Sequence, residues 1–546
     1  MPPPSQRLLR RVPDVAALSL VAVALGALWR FFQVDQRPPM DLGHYFEALP
    51  GAWVALGVLN LSALLDHALH QGGLYNLSVA LLARVFGRSP ALLEGLEFLW
   101  LGVLFLAAWA SARRLGGRWA GLAATALYTA MPVFHTGARC HWVHLPEASL
   151  VALAFWLWLR EPLLEQRLTR VGLFLTLAMA FSLRPTALVF GLPVLLLAWR
   201  SARPRLRVLV PALSLAAAVL VLLPALPNYI AGKAMVREVY AEVVAPLGPS
   251  LVRQAFVLPS VAVVVGLLLL AAFARGRWRE PALWLLSGWV LVGLGFCQFF
   301  HVGPDNFPLL FLGAALLAAQ GLALPGAAAW MVWTRRALAL GLVVVACLAM
   351  VTPMLLGHLA QPFVGVLGYG IVSLEPWSYI RPQLEVVTLD RVWPLLDEVC
   401  VRADETCTVL ATRGLANLNR EDDLSLAIFL SGHDGVIIHN AGQFFFEPDI
   451  ESTDALEGLM VLDCPHAAPE PDNLFTERER ALEAMVDELE VSFVYQLGAP
   501  LRCSFRVFRI EEADAEQALE EFWLNYPWRY SGPRTPPPPS ARAAPR

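Results

Sequence analysis

Apolar residues in this chain gather into long runs separated by short polar segments, and the length of the runs decides the class of fold. A helix of about 18 to 22 residues crosses the roughly 30 Å of hydrocarbon in a bilayer. The pattern predicts spans near 14–33, 92–112, 119–135, 146–160, 171–184, 187–199, 208–226, 256–274, 282–300, 307–324 and 337–357. The spans at 171–184 and 187–199 are short and are divided by Arg184-Pro185. The first follows a start that carries Arg7, Arg10 and Arg11, as a signal peptide does. No small-residue cleavage site with a polar mature start comes after it, so it is expected to remain as a span.

From about residue 383 the pattern changes. Arg391–Val401 reads as an amphipathic helix, and Glu477–Glu490 as a second helix with acidic residues and arginines on its exposed face. Thr408–Thr412, Gly435–His439, Leu459–Leu462 and Ser492–Tyr495 read as short strands, and Arg506–Ile510 as an edge strand. Strands alternating with helices predict a small α/β domain with a mainly parallel sheet. The expected fold class is a polytopic α-helical membrane protein of about eleven spans with a C-terminal soluble α/β domain. The expected domains are 1–357 in the membrane, with long loops at 35–91 and 227–255, a connector at 358–382, and the soluble domain at 383–530. A Pro-rich tail at 531–546, containing Pro536–Pro539, is expected to be disordered.

Composition supports the membrane reading. Of 546 residues 57% are apolar and only 16% charged, against roughly 25% charged in soluble domains. The net charge of -4 hides an asymmetry, because residues 1–374 are rich in arginine and residues 375–525 in Asp and Glu. No concentrated basic face stands free of the membrane, which argues against a nucleic-acid partner.

The arginines set a topology. One group of polar segments holds Arg7/Arg10/Arg11, Arg113/Arg114/Arg118, Arg160/Arg167/Arg170, Arg200/Arg203/Arg205/Arg207, Arg275/Arg277/Arg279 and Arg335/Arg336. The alternate segments have few cations although they include the two longest loops. The positive-inside rule makes the first group cytoplasmic, with the N-terminus. An odd number of spans then places the C-terminal domain outside. The expected location is the bacterial inner membrane, with that domain periplasmic.

Polar side chains converge on the outward side. Asp35, Asp41, His44, Tyr45, Glu47, Asp66, His67 and His70 fall in the first loop, and Arg139, His141, His144 and Glu147 in the second. Lys233, Arg237, Glu238 and Glu242 fall in the long middle loop, and His301 and Asp305 between later spans. Ionisable groups at membrane depth are costly and mark function or pairing. Blander roles stand beside this one. Asp41 can cap a helix, Arg139 and Arg184 can snorkel to headgroups, and Asp66/His67/His70 can form either a solvated helix face or a metal site. In the tail domain Cys400 ends a helix and Cys407 precedes a strand, so a Cys400–Cys407 disulfide is expected, with Cys464–Cys503 as a second; free cysteines are the alternative. No Gly-rich phosphate loop, paired CxxC or HExxH occurs, and the tail domain carries no catalytic motif of its own.

Several segments resemble the GT-C glycosyltransferase superfamily, in the family 39-like group that contains protein O-mannosyltransferases, aminoarabinose transferases of lipid A and galacturonosyltransferases. They are MDLGHYFEAL at Met40–Leu49, QGGLYNLSVALLARVFGRSP at Gln71–Pro90, the run Ala112–Gly116, and Thr136–Arg160 with Arg139 and Glu147. Arg184-Pro185-Thr186-Ala187 and Phe307–Leu310 are weaker echoes, and the resemblance covers roughly 14–330. It implies transfer of a sugar from a polyprenyl-phosphate carrier to an exoplasmic acceptor that is a lipid, glycan or protein. It makes Asp41 the general base, and Glu147 a second catalytic or sugar-binding acid. His44 and Tyr45 would line the sugar site, with His301 and Asp305 further substrate-binding candidates. Arg139 and Arg184, with Lys233 and Arg237, would hold the leaving phosphate. The chain departs from the family pattern at Leu42, where a second acid is usual, at Gln71-Gly72-Gly73 in place of Pro-Pro, and near Asn306, where a cation is usual. The sequence assigns no cofactor and leaves a divalent metal open. A transporter or flippase of lipid-linked sugars, and a non-catalytic member of the same scaffold, are the competing readings. No inverted repeat of the kind transporters carry is visible.

Overall fold

The computed structural model of the chain describes residues 4–34, 49–61, 64, 73–129, 144–202, 280–300 and 308–322, separate helical positions between 333 and 347, and five strands between 407 and 509. The helices are α1 (Pro4–Val34), α2 (Leu49–Gly57), α3 (Gly73–Phe86), α4 (Pro90–Gly116), α5 (Arg118–Thr129), α6 (His144–Arg160), α7 (Arg167–Leu183), α8 (Pro185–Ser201), α9 (Pro281–Phe300) and α10 (Pro308–Leu322). Helices α1, α4, α6, α7, α8, α9 and α10 stand where seven of the spans were expected, and α5 covers the first part of an eighth position. The spans expected at 208–226 and 256–274 lie outside the described residues. Two described helices, over Arg11–Trp29 and Ala91–Gly116, are long and apolar enough to cross a membrane; Thr186–Ser201, Pro281–Gly293 and Pro308–Gln320 are shorter apolar helices.

Local chemistry sets the helix ends. Pro90 sits in the first turn of α4, where its missing N–H costs nothing. Gly117 then takes φ 84, and its N–H bonds the Arg113 carbonyl, so the chain turns at once into α5. Between α7 and α8, Arg184 is extended at φ -156 and ψ 146. Pro185 dictates this, because its ring disfavours helical backbone in the residue before it.

α4 packs on α5 and α6, α6 on α7 and α8, and α9 on α10. α1 and α10 both pack on α5. α5 can serve three neighbours because it is built of small residues. Every residue from Ala120 to Thr129 is buried, and only Leu122, Leu127 and Tyr128 are large. Small faces allow close backbone approach where lipid supplies no hydrophobic drive. Some polar side chains in this core bond backbone carbonyls of neighbouring helices, which a dry interior favours. Tyr128 Oη donates to the Phe105 carbonyl at 2.6 Å, and Trp289 Nε1 to the Phe190 carbonyl at 2.9 Å. Phe155 meets Trp289 edge-on at 5.4 Å between centroids. On the outer faces of the helices Leu18, Val23, Leu106, Leu175, Leu196, Trp284 and Leu291 are exposed, a surface suited to lipid rather than water.

The arginine-bearing ends of the helices meet. Asp14, at the start of the first apolar run, takes Arg113 Nε at 3.0 Å and Arg118 Nε at 3.1 Å. The Arg336 guanidinium lies 5.4 Å from the Trp119 ring, and Gln320 Nε2 reaches the Ala112 carbonyl at 3.4 Å. Three of the arginine groups thus share one end of the bundle, as their alternation along the chain predicts.

The strands β1 (Cys407–Ala411), β2 (Val436–Asn440), β3 (Gly458–Asp463), β4 (Phe493–Gln496) and β5 (Ser504–Arg509) form one sheet in the order β2-β1-β3-β5-β4. All five stand within two residues of their expected positions. Two expectations are corrected. The sheet is mixed, because β1 pairs in parallel with β2 and β3 while β5 is antiparallel to both β3 and β4. β5 is also an inner strand; the edges are β2 and β4. The connection 497–503 is too short for a parallel crossover, so β4 and β5 must pair as antiparallel neighbours.

The contact between α9 and α10 depends on glycine. A Cβ added at Gly313 would stand 3.0 Å from the Leu286 carbonyl oxygen and 3.3 Å from Trp289 Cβ, whereas one at Gly288 would meet nothing within 4 Å. Gly313→Val is therefore expected to destabilise the bundle by about 1–3 kcal/mol, read as a lower thermal midpoint in detergent, while Gly288→Ala leaves the midpoint within error or raises it.

Candidate active site

His144 and Glu147 occupy the first turn of α6, where a carboxylate complements the positive end of the helix dipole. Arg184 stands in the break before α8, and Thr186 in the first turn of α8. All four are buried, with relative exposures of 5%, 4%, 4% and 6% in chain order. Thr186 Oγ1 donates to Glu147 Oε1 at 2.8 Å. Arg184 Nη1 lies 3.7 Å from Glu147 Oε2 and in direct contact with the His144 imidazole. A buried carboxylate without a partner would be neutralised or expelled, and here a guanidinium and a hydroxyl hold it.

Arg184 therefore does not snorkel to headgroups. Pro185 takes it out of the helix, and its side chain turns inward to the carboxylate. Glu147 and Arg184, drawn from the sequence as separate candidates, are brought together by the structure. His144 appeared in the sequence only as one polar loop residue, and Thr186 only as a neighbour of Pro185. Both belong to the cluster. The signal for Thr186 was its place in the first turn after a proline break, where its hydroxyl meets whatever caps the helix.

A second buried pair lies in the same layer. Tyr75 Oη, on α3, donates to Glu97 Oε1 of α4 at 3.3 Å. Ser149 Oγ of α6 lies 2.8 Å from the Trp100 carbonyl of α4 and 2.7 Å from the Leu145 carbonyl of its own helix, so it shares its proton between them and marks where the two helices stand level. Both run away from this end of the bundle, so at about 1.5 Å of rise per residue Glu97 and Glu147 differ in height by roughly 1.5 Å. Sequence reading did not find Glu97, because one acid inside an apolar run gives no clue to its partner.

The arrangement is an acid, a guanidinium, an imidazole and a hydroxyl at the ends of α6 and α8, opposite the ends that carry Arg160 and Arg200. Such a group can orient a polyhydroxyl substrate through Glu147 and offset negative charge through Arg184. Asp41, His44, Tyr45, Arg139, Lys233, Arg237, His301 and Asp305 lie outside the described residues, as do Asp66, His67, His70 and the Cys400 partner in the expected Cys400–Cys407 bridge. Among the described residues no three His, Cys, Asp or Glu side chains are grouped to hold a metal ion.

Residues 72–230 match the family model described as dolichyl-phosphate-mannose-protein mannosyltransferase. The GT-C resemblance therefore holds over this segment. It contains α3 to α8, and with them Glu97, Glu147, Arg184 and Thr186. Two crystal structures of ArnT from Cupriavidus metallidurans, one bound to undecaprenyl phosphate and one in the apo state, are each matched at a TM-score of 0.47 and 12% identity, over 90% of this chain and 97% of that chain. No curated protein matches the sequence.

Pairing across the cluster gives it a thermodynamic signature. Arg184→Met leaves the Glu147 carboxylate buried without its cation and is expected to cost about 3–5 kcal/mol. Adding Glu147→Gln to Arg184→Met should recover much of that loss, since neither charge is then stranded. Thermal midpoints of the two single variants, the double variant and wild type in one detergent measure the coupling, and additive losses would show that the ion pair does not hold the site together.

Proposed function

We propose that the chain transfers a sugar from a polyprenyl-phosphate donor to an exoplasmic acceptor. The observation that carries this reading is the buried Glu147–Arg184 pair, set within the segment that matches the mannosyltransferase family and at the bundle end opposite the clustered arginines. In the proposed reaction the acceptor hydroxyl or amine attacks the anomeric carbon while the bond from that carbon to the phosphate oxygen breaks. Asp41 takes the acceptor proton, and the polyprenyl phosphate leaves with the bonding pair. Carboxylate and leaving phosphate stand on opposite faces of the sugar, so the anomeric centre inverts. Cations are needed where negative charge grows on the phosphate; Arg139 and Arg184 are assigned to that task, with Lys233 and Arg237 as further candidates for it. Glu147 and His44 bind the sugar or orient Asp41. The acidic C-terminal sheet domain is read as structural, or as a lid or acceptor-recognition module on the outer side.

A flippase needs charges near mid-membrane, whereas the described cluster lies at helix ends. Asp41→Asn and Glu147→Gln separate the readings. In membranes supplied with a panel of polyprenyl-phosphate sugars, Asp41→Asn is expected to lower transfer by about 10²–10⁴-fold, the usual contribution of a general base. Glu147→Gln should reduce transfer and also weaken donor binding. Full transfer by Asp41→Asn would remove the base assignment, and no transfer by wild type with any donor would favour a flippase or a non-catalytic scaffold.

A further inference from the structure

Arg84 and Arg88 stand at the wrong end of the molecule for the positive-inside pattern. α3 leads through Gly87–Ser89 into the start of α4, and the other end of α4 carries Arg113 and Arg114. Two arginines beside the cation-poor end need a reason of their own. Arg84, in the last turn of α3, complements the helix dipole. That account does not reach Arg88, which lies beyond the helix.

Both guanidiniums converge on one indole. Arg84 Cζ is 3.8 Å and Arg88 Cζ 3.9 Å from the centre of a Trp53 ring, and Arg84 Nη2 donates to the Trp53 carbonyl at 2.8 Å. Gly57 leaves space for this, because a Cβ there would collide with Arg84 Nη2.

The surroundings are apolar and outward-facing. Leu81, Arg84, Val85 and Arg88 follow i, i+3, i+4, i+7 spacing, which in α3 puts the first three on one helix face with Arg88 one turn further on. Leu81 is 56% and Val85 68% exposed. Next to Gly57, Val58 and Leu59 are 70% and 74% exposed. Leu59 has φ 50, a conformation in which leucine is uncommon. A turn chosen for backbone ease or for water would place glycine or asparagine there.

We propose that α2 and α3 seat an anionic phospholipid, with its phosphate at Arg84 and Arg88 around Trp53 and its acyl chains along Leu81, Val85, Val58 and Leu59. Arginine pairs suit phosphate because the planar fork donates two parallel hydrogen bonds. An indole at the membrane interface fixes where that fork sits. The start of a span six residues or fewer along the chain keeps both cations at headgroup level.

The test uses the full chain purified from bilayers of equal phosphatidylglycerol and phosphatidylcholine, with retained lipid counted by native mass spectrometry. Wild type is expected to retain phosphatidylglycerol preferentially. Arg84→Gln/Arg88→Gln should lose that preference by about fivefold per arginine, the size of the attraction of one basic residue to an anionic surface. Arg84→Lys/Arg88→Lys should keep the part of it that charge alone supplies and lose the part that needs the planar fork. Gly57→Ala displaces only the tip of Arg84 and should lower the preference without lowering the thermal midpoint, so it decides the matter if the double Gln variant does not fold. Unchanged preference in a folded double Gln variant, or in Gly57→Ala when the double variant fails, overturns the proposal. So does complete displacement of the lipid by inorganic phosphate, which would mark a free-anion site instead.

Discussion

A guanidinium and a carboxylate buried among apolar helices have to meet, and the meeting of Arg184 with Glu147 fixes how α6, α7 and α8 are arranged. In a medium of low dielectric each charge alone would cost several kcal/mol. Neither side chain can reach the other along one helix. The chain must therefore break beside one of them and bring the break to the other. Pro185 makes the break, Arg184 takes the extended conformation that precedes it, and Thr186 adds a hydroxyl to the carboxylate from the new helix. The register between α6 and the α7–α8 pair follows from a polar contact rather than from apolar packing alone.

The remaining contacts serve that arrangement. α5 is thin enough, in alanine, glycine and threonine, to let α1, α4 and α10 close round it. Its threonines return their hydroxyls to their own helix, as when Thr125 Oγ1 donates to the Gly121 carbonyl at 2.8 Å. They add no demand for partners across the interface. Ser149 beside the Trp100 carbonyl marks the height of α4 against α6, at which Tyr75–Glu97 is level with Glu147. Two acids on different helices share one layer because α4 and α6 pack along each other with Ser149 level with Trp100.

Helices and strands were largely legible in the sequence, because run length and alternation are local properties. The break at Arg184-Pro185 was legible for the same reason. Pairing was not. Glu147 and Arg184 stand 37 positions apart, and nothing local to either says that it faces the other. Glu97 sits in an apolar run with its partner on a helix that sequence reading treated as part of a loop. Asp14 gives no local signal of the two arginines it holds, because a lone acid beside basic residues looks solvated. The sheet shows the same limit. Every strand was placed, but the expected parallel order failed at β5, where the short link from β4 left only an antiparallel return.

The two ends of the bundle handle charge in opposite ways, and this difference marks one of them as the candidate site. At the arginine-rich end, Asp14 bridges Arg113 and Arg118, whose side chains are 41% and 37% exposed. Water screens these groups, so the bridge joins α1 to the α4–α5 turn at small energetic stakes. At the other end the Glu147 and Arg184 side chains are each 5% exposed. Screening is lost, and the pair is sensitive to any group that enters beside it. An incoming phosphate would compete with Glu147 for Arg184, and an incoming hydroxyl would compete with Thr186 for Glu147. A substrate carrying both groups answers both losses at once, while water or a simple anion answers only one. If the proposed donor is the substrate, selectivity for a phosphate-linked sugar over either fragment would follow from the burial of the pair, before any residue performs chemistry.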